Sequence, residues 1–398
     1  MWNARVLSLT SRAQVEAEMA AVGVDPLGVR IMLPKALFRV VKVEGLPTNA
    51  ANIVKQEMLA KGGEAALSWA GSLSASAKTD VLLMGTARHF ARLVARLRMH
   101  PFGLRDLADE LREALDQYES PLPPSVWRGT TFTWGSRTYV MGIVNVTPDS
   151  FSGDGLGADV PAVVAQAVRM VEEGADLIDV GGESTRPGHK SVSVKEELRR
   201  VLPALHAVRQ AVEVPLSIDT YKSEVAAAAL AAGADLVNDI WGLRRDPHMA
   251  HVVAEAKVPV ILMHNQEGTQ YTDLMADIMR SLRESIALAR VAGIPESNIL
   301  LDPGIGFGKR REQNLEVLAR LDELRVLGRP ILVGTSRKST LGHILGTPPD
   351  DRLEGTAATA ALAIAKGADI LRVHDVKQIV RVARVADAVE RGRWQEYS

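Results

Sequence analysis

Glu173-Gly-Ala-Asp-Leu-Ile-Asp-Val180 recurs twice, as Ala232-Gly-Ala-Asp-Leu-Val-Asn-Asp239 and as Lys366-Gly-Ala-Asp-Ile-Leu-Arg-Val373. Each copy follows an Ala/Val/Leu-rich stretch of helical periodicity and opens a short apolar run. Glycine there is the αL residue that closes a helix, so each copy reads as helix, turn and buried strand. Outward from these three, comparable runs stand at Val140–Val144, Pro215–Ile218, Val258–Met263, Ile299–Leu301 and Ile331–Val333. With Leu177–Val180, Leu236–Val237 and Ile370–Val373 they make eight. Helical stretches such as Val163 to Glu173, Lys222 to Ala232 and Thr356 to Lys366 separate them. Eight strands with crossover helices in about 260 residues is the rhythm of a (β/α)8 TIM barrel. An open doubly wound sheet competes, because alternation alone does not prove closure.

Ahead of the barrel the chain has a different texture. Ser120-Pro-Leu-Pro-Pro-Ser125 follows a helical pattern ending near Tyr118, and three prolines in four positions read as a linker. Before it, Ala13 to Val22, Asn52 to Lys61 and Ala87 to Arg98 look helical, while Val29 to Leu33, Phe38 to Val43 and Val81 to Met84 look like strands. After it, Thr130 to Trp134 and Arg137 to Asn145 flank Gly135-Ser136, a hairpin signal. The expected organisation is a smaller mixed α/β accessory domain over residues 1–119, a Pro-rich linker over 120–129 and the barrel over 130–398.

Composition narrows the class of function. The 47 Lys plus Arg nearly balance 48 Asp plus Glu, which gives no electrostatic case for nucleic acid or an anionic membrane as partner. Cysteine is absent, which removes disulfides, thiolate catalysis and Cys-based metal sites. No run is long enough to span a bilayer, and a cytoplasmic protein is expected.

The polar residues suggest the chemistry. The eight runs end at Asn145, Asp179, Asp219, Asn238 with Asp239, His264, Asp302, Ser336 with Arg337 and Lys338, and Arg372 with His374. In a parallel barrel these ends converge on the face where barrel enzymes keep their sites. A single Asp or Asn after a strand is as readily the N-cap of the next helix. Capping does not account for Arg, Lys and His at the last two ends. Carboxylates and amides can accept from the N–H edge of a heterocycle, and Lys338, Arg372 and His374 can hold a phosphate. Gly304-Ile-Gly-Phe-Gly-Lys309 fails both nucleotide-loop templates, because a dinucleotide loop needs glycine at Lys309 and a P-loop needs glycine at Pro303. His248 and His251 lack a third ligand and read as surface-helix residues.

Several strings then match one family in its own order. Met141-Gly-Ile-Val-Asn-Val-Thr-Pro-Asp-Ser-Phe-Ser152 and Asp179-Val-Gly-Gly-Glu-Ser-Thr-Arg-Pro-Gly188 come first. Ser217-Ile-Asp-Thr220, Val237-Asn-Asp239, Asp302-Pro-Gly-Ile-Gly-Phe307, Ser336-Arg-Lys-Ser339 and Arg372-Val-His-Asp-Val376 follow. The chain from about Tyr139 onward resembles the dihydropteroate synthases, pterin-binding barrels that join a pterin diphosphate to p-aminobenzoate. The resemblance implies a pterin pocket of Asp219, Asn238, Asp302 and Lys338, with Met263 packing on the ring. It implies that Asn145 binds Mg2+ accompanying the diphosphate, and that Arg372 and His374 hold the diphosphate itself. Thr185, Arg186 and Pro187, with Phe307 and Ser339, would bind p-aminobenzoate. Catalysis would fall to Asp219, Lys338, Arg372, His374 and Asp149, the last on a mobile loop from Thr147 to Gly157; a second such loop would run from Glu183 to Ser193. A homodimer that takes only small-molecule substrates is the expected assembly.

Two positions depart from the family pattern. Ser152-Gly-Asp-Gly155 stands where Ser-Asp-Gly-Gly is commoner, and Asn265 where a second Met often stands. The alternatives are a pterin-dependent methyltransferase, which would not need Thr-Arg-Pro-Gly, Ser-Arg-Lys or Arg-Val-His, and a non-catalytic pterin-binding paralogue.

Overall fold

In a computed structural model, which describes residues 2–68, 78–146, 159–183 and 191–392, the chain forms two compact units. They comprise Met1–Ser120 and Pro121–Ser398.

The first unit is a three-stranded antiparallel sheet, β1 (Phe38–Pro47), β2 (Glu64–Leu67) and β3 (Lys78–Thr86), in the order β1-β3-β2. Helices Thr48–Ala60, Ala87–Leu97 and Leu104–Glu119 supply Val54, Met58, Phe90, Leu93, Leu97 and Leu104 to its core. Val29 to Leu33 is helical rather than extended, lying within Pro26–Ala36. The Asp25 carboxylate accepts from the Leu27 and Gly28 N–H groups, and Pro26 presets φ at the first helical position. A β-branched run with that start signal folds as the start signal directs.

The second unit carries eight parallel strands: β6 (Tyr139–Asn145), β7 (Leu177–Gly181), β8 (Leu216–Asp219), β9 (Leu236–Asp239), β10 (Val260–Met263), β11 (Ile299–Asp302), β12 (Leu332–Val333) and β13 (Ile370–Val373). Their order is β11-β10-β9-β8-β7-β6-β13-β12. A parallel bridge between Leu301 and Ile331 joins the two ends, with Leu301 N–H on Pro330 O at 2.9 Å. The sheet therefore closes, and the open-sheet alternative is excluded.

The threefold Gly-Ala-Asp motif explains itself at the strand starts. Gly174, Gly233 and Gly367 take φ of 103°, 107° and 92°. Each following Asp donates its N–H to, and accepts on its carboxylate from, one residue at the start of a neighbouring strand or just before it. Asp176 does this with Val140, Asp235 with Leu216 and Asp369 with Ile331. The motif thus sets register where the barrel begins.

The hairpin lies elsewhere than Gly135-Ser136. It is β4 (Ser125–Trp127) with β5 (Thr130–Phe132), turning at Arg128 and Gly129 with φ of 46° and 75°. Positive φ at both central residues is the twist that two-residue hairpins need. The residues from Tyr139 instead pair with β13 and β7 inside the barrel. The linker is correspondingly shorter than 120–129, since Ser125 already starts a strand.

Trp127, Phe132, Trp134 and Tyr139 form one aromatic cluster, with Trp127 and Phe132 centroids 4.3 Å apart. They pack with Met141, Leu177, Leu236, Ile261, Leu300, Leu332 and Ile370, which fill the barrel near the strand starts. Losing one such aromatic costs about 3–5 kcal/mol, against a total stability of about 5–15 kcal/mol. A fragment starting at Pro121 is accordingly expected to fold, and one starting at Arg137 to remain unfolded. Circular dichroism melts of the two fragments check this; a cooperative melt from the shorter one contradicts it.

Candidate active site

Side chains alternate along a strand, so residues two apart share a face. The inward apolar layer continues towards the strand ends as a polar one: Leu177 is followed by Asp179, Leu236 by Asn238, Leu300 by Asp302 and Ile370 by Arg372. Ser217 and Asp219 occupy the same face of β8, opposite Asp179 and Gly181 of β7. Barrel closure turns one sequence pattern into one cluster.

Arg372 holds that cluster together. Its Nε donates to Asp179 Oδ2 at 2.6 Å and its Nη2 to Asp219 Oδ2 at 2.6 Å. Asn238 Nδ2 donates to the same Asp179 oxygen at 3.2 Å. Asp179, Asp219 and Asn238 are buried, and the Arg372 side chain is 18% exposed. Asp179 Oδ1, Asp219 Oδ1 and the Ser217 hydroxyl are buried and bond to no described residue. Two carboxylates thus share one guanidinium while keeping acceptors for something else.

The electrostatics follow from that sharing. Burial pushes the Asp219 carboxyl up to about 7; Arg372 opposes this and Asp179 adds to it. Burial also raises Asp302, against the N–H of Gly304 and the charges of Lys338, Lys309 and Arg372. Burial alone would depress Arg372, but Asp179 and Asp219 more than offset it and raise it above the ordinary arginine value.

The Gly-rich segment after β11 packs against this cluster. Gly304, Gly306 and Gly308 all have positive φ, and a Cβ on Gly304 would lie 2.0 Å from His264 O. Lys338 crosses Gly306 and sets its ammonium 4.3 Å from the centre of the Phe307 ring. Lys309 is buried and donates to Gly304 O at 2.9 Å and Phe307 O at 3.1 Å, and its Nζ lies 2.9 Å from His264 Nδ1. Burial, then Lys309 and Arg244, lowers His264 to about 2, so the ring is neutral and its Nδ1 accepts. Burial pulls Lys309 down to about 7. Three acceptors for three N–H bonds nevertheless favour its ammonium form. The segment is a lysine-stapled turn that displays Phe307.

At the last two strand ends Ser336 fixes His374. Its hydroxyl accepts from His374 N–H at 3.1 Å and lies 2.9 Å from Nδ1. When that hydroxyl donates to Nδ1, the ring proton lies on Nε2, where it can meet an anionic oxygen. Arg337, with φ of 55°, turns away and pairs with both oxygens of Asp375 at 3.0 and 2.7 Å. Asp239 is likewise structural, accepting from Trp241 and Leu243 N–H.

Of the residues singled out from sequence, the structure gathers Asp219, Asn238, Met263, Asp302, Phe307, Lys338, Arg372 and His374 at the strand ends and their loops. Ser339, exposed, opens the helix Ser339–Leu345 beside Lys338, and half-buried Asn145 ends β6 with Gly181 as its partner. Asp149, Thr185, Arg186 and Pro187 lie outside the described residues, as does Asp154. Among the described residues, no group of three or more His, Cys, Asp or Glu is placed to hold a metal ion. Asp179 and Ser336 are site residues that a strand-by-strand reading undervalues. Asp179 could have been found from its place in the Gly-Ala-Asp repeat, which Asn238 and Arg372 share.

Residues 141–374 match the family model of pterin binding enzymes. The chain is 51% identical over 261 residues to the dihydropteroate synthase of Clostridium beijerinckii, covering 65% of this chain and 97% of that one. A crystal structure of dihydropteroate synthase from Clostridium difficile in the presence of pteroic acid aligns with TM-score 0.64 and 52% identity, covering 65% of this chain and 99% of that one. A probable bifunctional folylpolyglutamate synthase/dihydropteroate synthase of Halobacterium salinarum is 43% identical over 377 residues, 93% of this chain and 45% of its own length. That last likeness is longer than the barrel unit and so takes in part of Met1–Ser120. The chain belongs to the pterin-binding enzyme family. Within it, its kinship is with the dihydropteroate synthases, transferases of folate biosynthesis.

Proposed function

We propose that the strand-end cluster condenses 6-hydroxymethyl-7,8-dihydropterin diphosphate with p-aminobenzoate, giving 7,8-dihydropteroate and diphosphate. The observation that carries this reading is the Asp179–Arg372–Asp219 bridge, with buried acceptors on both carboxylates beside Asn238. A ring with several N–H groups and one amide-like edge complements such a set. Met263, Asp302 and Lys338 complete its walls, and Lys338 over Phe307 borders the place where the second substrate enters.

Chemistry follows from the charges. The bond between the exocyclic methylene and the diphosphate oxygen breaks, and its electron pair leaves with the diphosphate. Arg372 and Nε2–H of His374 meet that growing negative charge, while ionised Asp219 faces the positive charge delocalised over the ring. The aryl amine of p-aminobenzoate attacks the methylene and then loses a proton to water. Phe307 and Met263 keep water from the methylene, which would otherwise trap it. Mg2+ neutralises diphosphate charge when bound. Asn145 suits it as a single oxygen donor, since Mg2+ at such sites keeps substrate phosphates and waters as most of its ligands. Thr185, Arg186 and Pro187 remain proposed contacts of p-aminobenzoate, and Asp149 a proposed catalytic contact.

We further place the enzyme in the cytoplasm; no helix among the described residues is long and apolar enough to cross a membrane. A homodimer is proposed on the apolar stripe of Leu362, Val385 and Val389, exposed by 62%, 66% and 75%.

Growth of a bacterium lacking its own dihydropteroate synthase, restored by this chain without added folate products, tests the function. Binding order gives a second expectation. The pterin contacts stand on strands, and p-aminobenzoate is too small to supply much binding energy by itself. Calorimetry is expected to show no heat for p-aminobenzoate with free enzyme, and a clear isotherm once pterin and diphosphate are present. Micromolar binding to the free enzyme contradicts this order.

A further inference from the structure

Lys309 is a buried cation outside the bridge that Arg372 makes, 9% exposed where an unpaired lysine would stay in water. Its Nζ meets Gly304 O at 2.9 Å, Phe307 O at 3.1 Å and His264 Nδ1 at 2.9 Å. The first two are the carbonyls at either end of one turn, which Phe307 N–H closes on Gly304 O at 3.1 Å. The third belongs to the residue that follows β10. One ammonium therefore closes the turn after β11 and ties it to the neighbouring strand.

The parts of that turn are held differently. Gly304 has other support: its N–H donates to Asp302 Oδ1 at 2.7 Å, and its backbone packs closely on His264 O. Gly306 N–H donates at 2.6 Å to Asn314 Oδ1, and Asn314 is buried on the next helix, Arg311–Ala319. Gly308 O accepts from the Tyr271 hydroxyl at 2.7 Å. Phe307, between the last two, is held through its backbone by Gly304 O and by Lys309. Its ring is half-buried, with the Lys338 ammonium 4.3 Å from its centre.

We propose that Lys309 is a positioning residue for p-aminobenzoate: by binding the carbonyls of Gly304 and Phe307 and the imidazole of His264, it fixes the Phe307 ring beside Lys338, where that substrate enters. This rests on the proposed assignment of Phe307 to p-aminobenzoate. The pterin contacts do not hang on the same bonds. Asp219 is tied to Arg372 and Asn238 to Asp179, while Asp302 keeps the N–H of Gly304. The two substrates therefore depend unequally on this one ammonium.

Steady-state kinetics of Lys309→Met test this. Releasing the backbone of one residue, here Phe307, is worth roughly tenfold in affinity. KM for p-aminobenzoate is expected to rise roughly tenfold, and KM for the pterin diphosphate to stay within about twofold. The effect passes through the Phe307 ring, so Lys309→Met added to Phe307→Ala is expected to raise KM for p-aminobenzoate by less than about twofold more. Tyr271→Phe removes the hydroxyl on Gly308 O, keeps the ring and changes no charge. It is expected to show the same selectivity at smaller amplitude, and it decides the matter if Lys309→Met does not fold. Both KM values raised alike, a lowered melting temperature with both unchanged, or an equal rise with and without the Phe307 ring would overturn the proposal. If the unaltered enzyme forms no dihydropteroate, the functional reading fails instead, and the two failures are separable.

Discussion

Replacing Arg372 with alanine is expected to lower kcat/KM by roughly 100- to 1,000-fold and stability by about 3–5 kcal/mol. Both effects have one source. Arg372 joins Asp179 on β7 to Asp219 on β8, and both carboxylates are buried. Without the guanidinium, two like charges face each other in a site with little water, and the leaving diphosphate loses a cation. Urea unfolding and steady-state kinetics read the two effects separately. Turnover within threefold of the unaltered enzyme, or unchanged urea stability, contradicts the role given to the bridge.

Asp219→Asn is expected to divide the same two quantities. Activity should fall roughly 100- to 1,000-fold, because a neutral amide no longer stabilises the ring cation. Stability should hold or rise near neutral pH, because one of the two carboxylates competing for Arg372 has gone. The sign follows from protonation. Asp219 is pushed up to about 7 in the folded protein, above the ordinary value of 3.8. Between those values the folded state binds more protons than the unfolded state. The stability Asp219 contributes is therefore present at low pH and lost as pH rises through about 7, at a slope approaching 1.4 kcal/mol per pH unit, roughly. Asp219→Asn should flatten that slope, and kcat/KM of the unaltered enzyme should climb with pH through the same window. Equal pH slopes in the two proteins would show that Asp219 is ionised throughout.

The sequence made the barrel legible because its strands announce themselves twice, by apolar runs and by the Gly-Ala-Asp turns before three of them. Both signals are local. Closure is not local: it depends on Leu301 reaching Ile331, and no periodicity encodes that pairing. The position of the hairpin is not local either. Gly135-Ser136 is the stronger turn signal, yet the hairpin turns at Arg128, with positive φ, between Trp127 and Phe132, whose rings are buried in the barrel floor. In the same way, a β-branched run at Val29 yields to the cap at Asp25.

At the site, residue identities were readable and their partners were not. Arg372 was legible as an anion-binding residue at a strand end. Its bonds to Asp179 and Asp219, 193 and 153 positions away, require the register of β13, β6, β7 and β8. In the sequence Lys309 belongs only to a failed nucleotide-loop template, whereas in the fold it staples Gly304 and Phe307 to His264.

The most direct measurement is product formation by the purified chain given the pterin diphosphate and Mg2+, with and without p-aminobenzoate. One diphosphate is expected for each 7,8-dihydropteroate formed, and almost no release when p-aminobenzoate is withheld. Diphosphate release indifferent to p-aminobenzoate, or binding of pterin with no dihydropteroate formed, would contradict it.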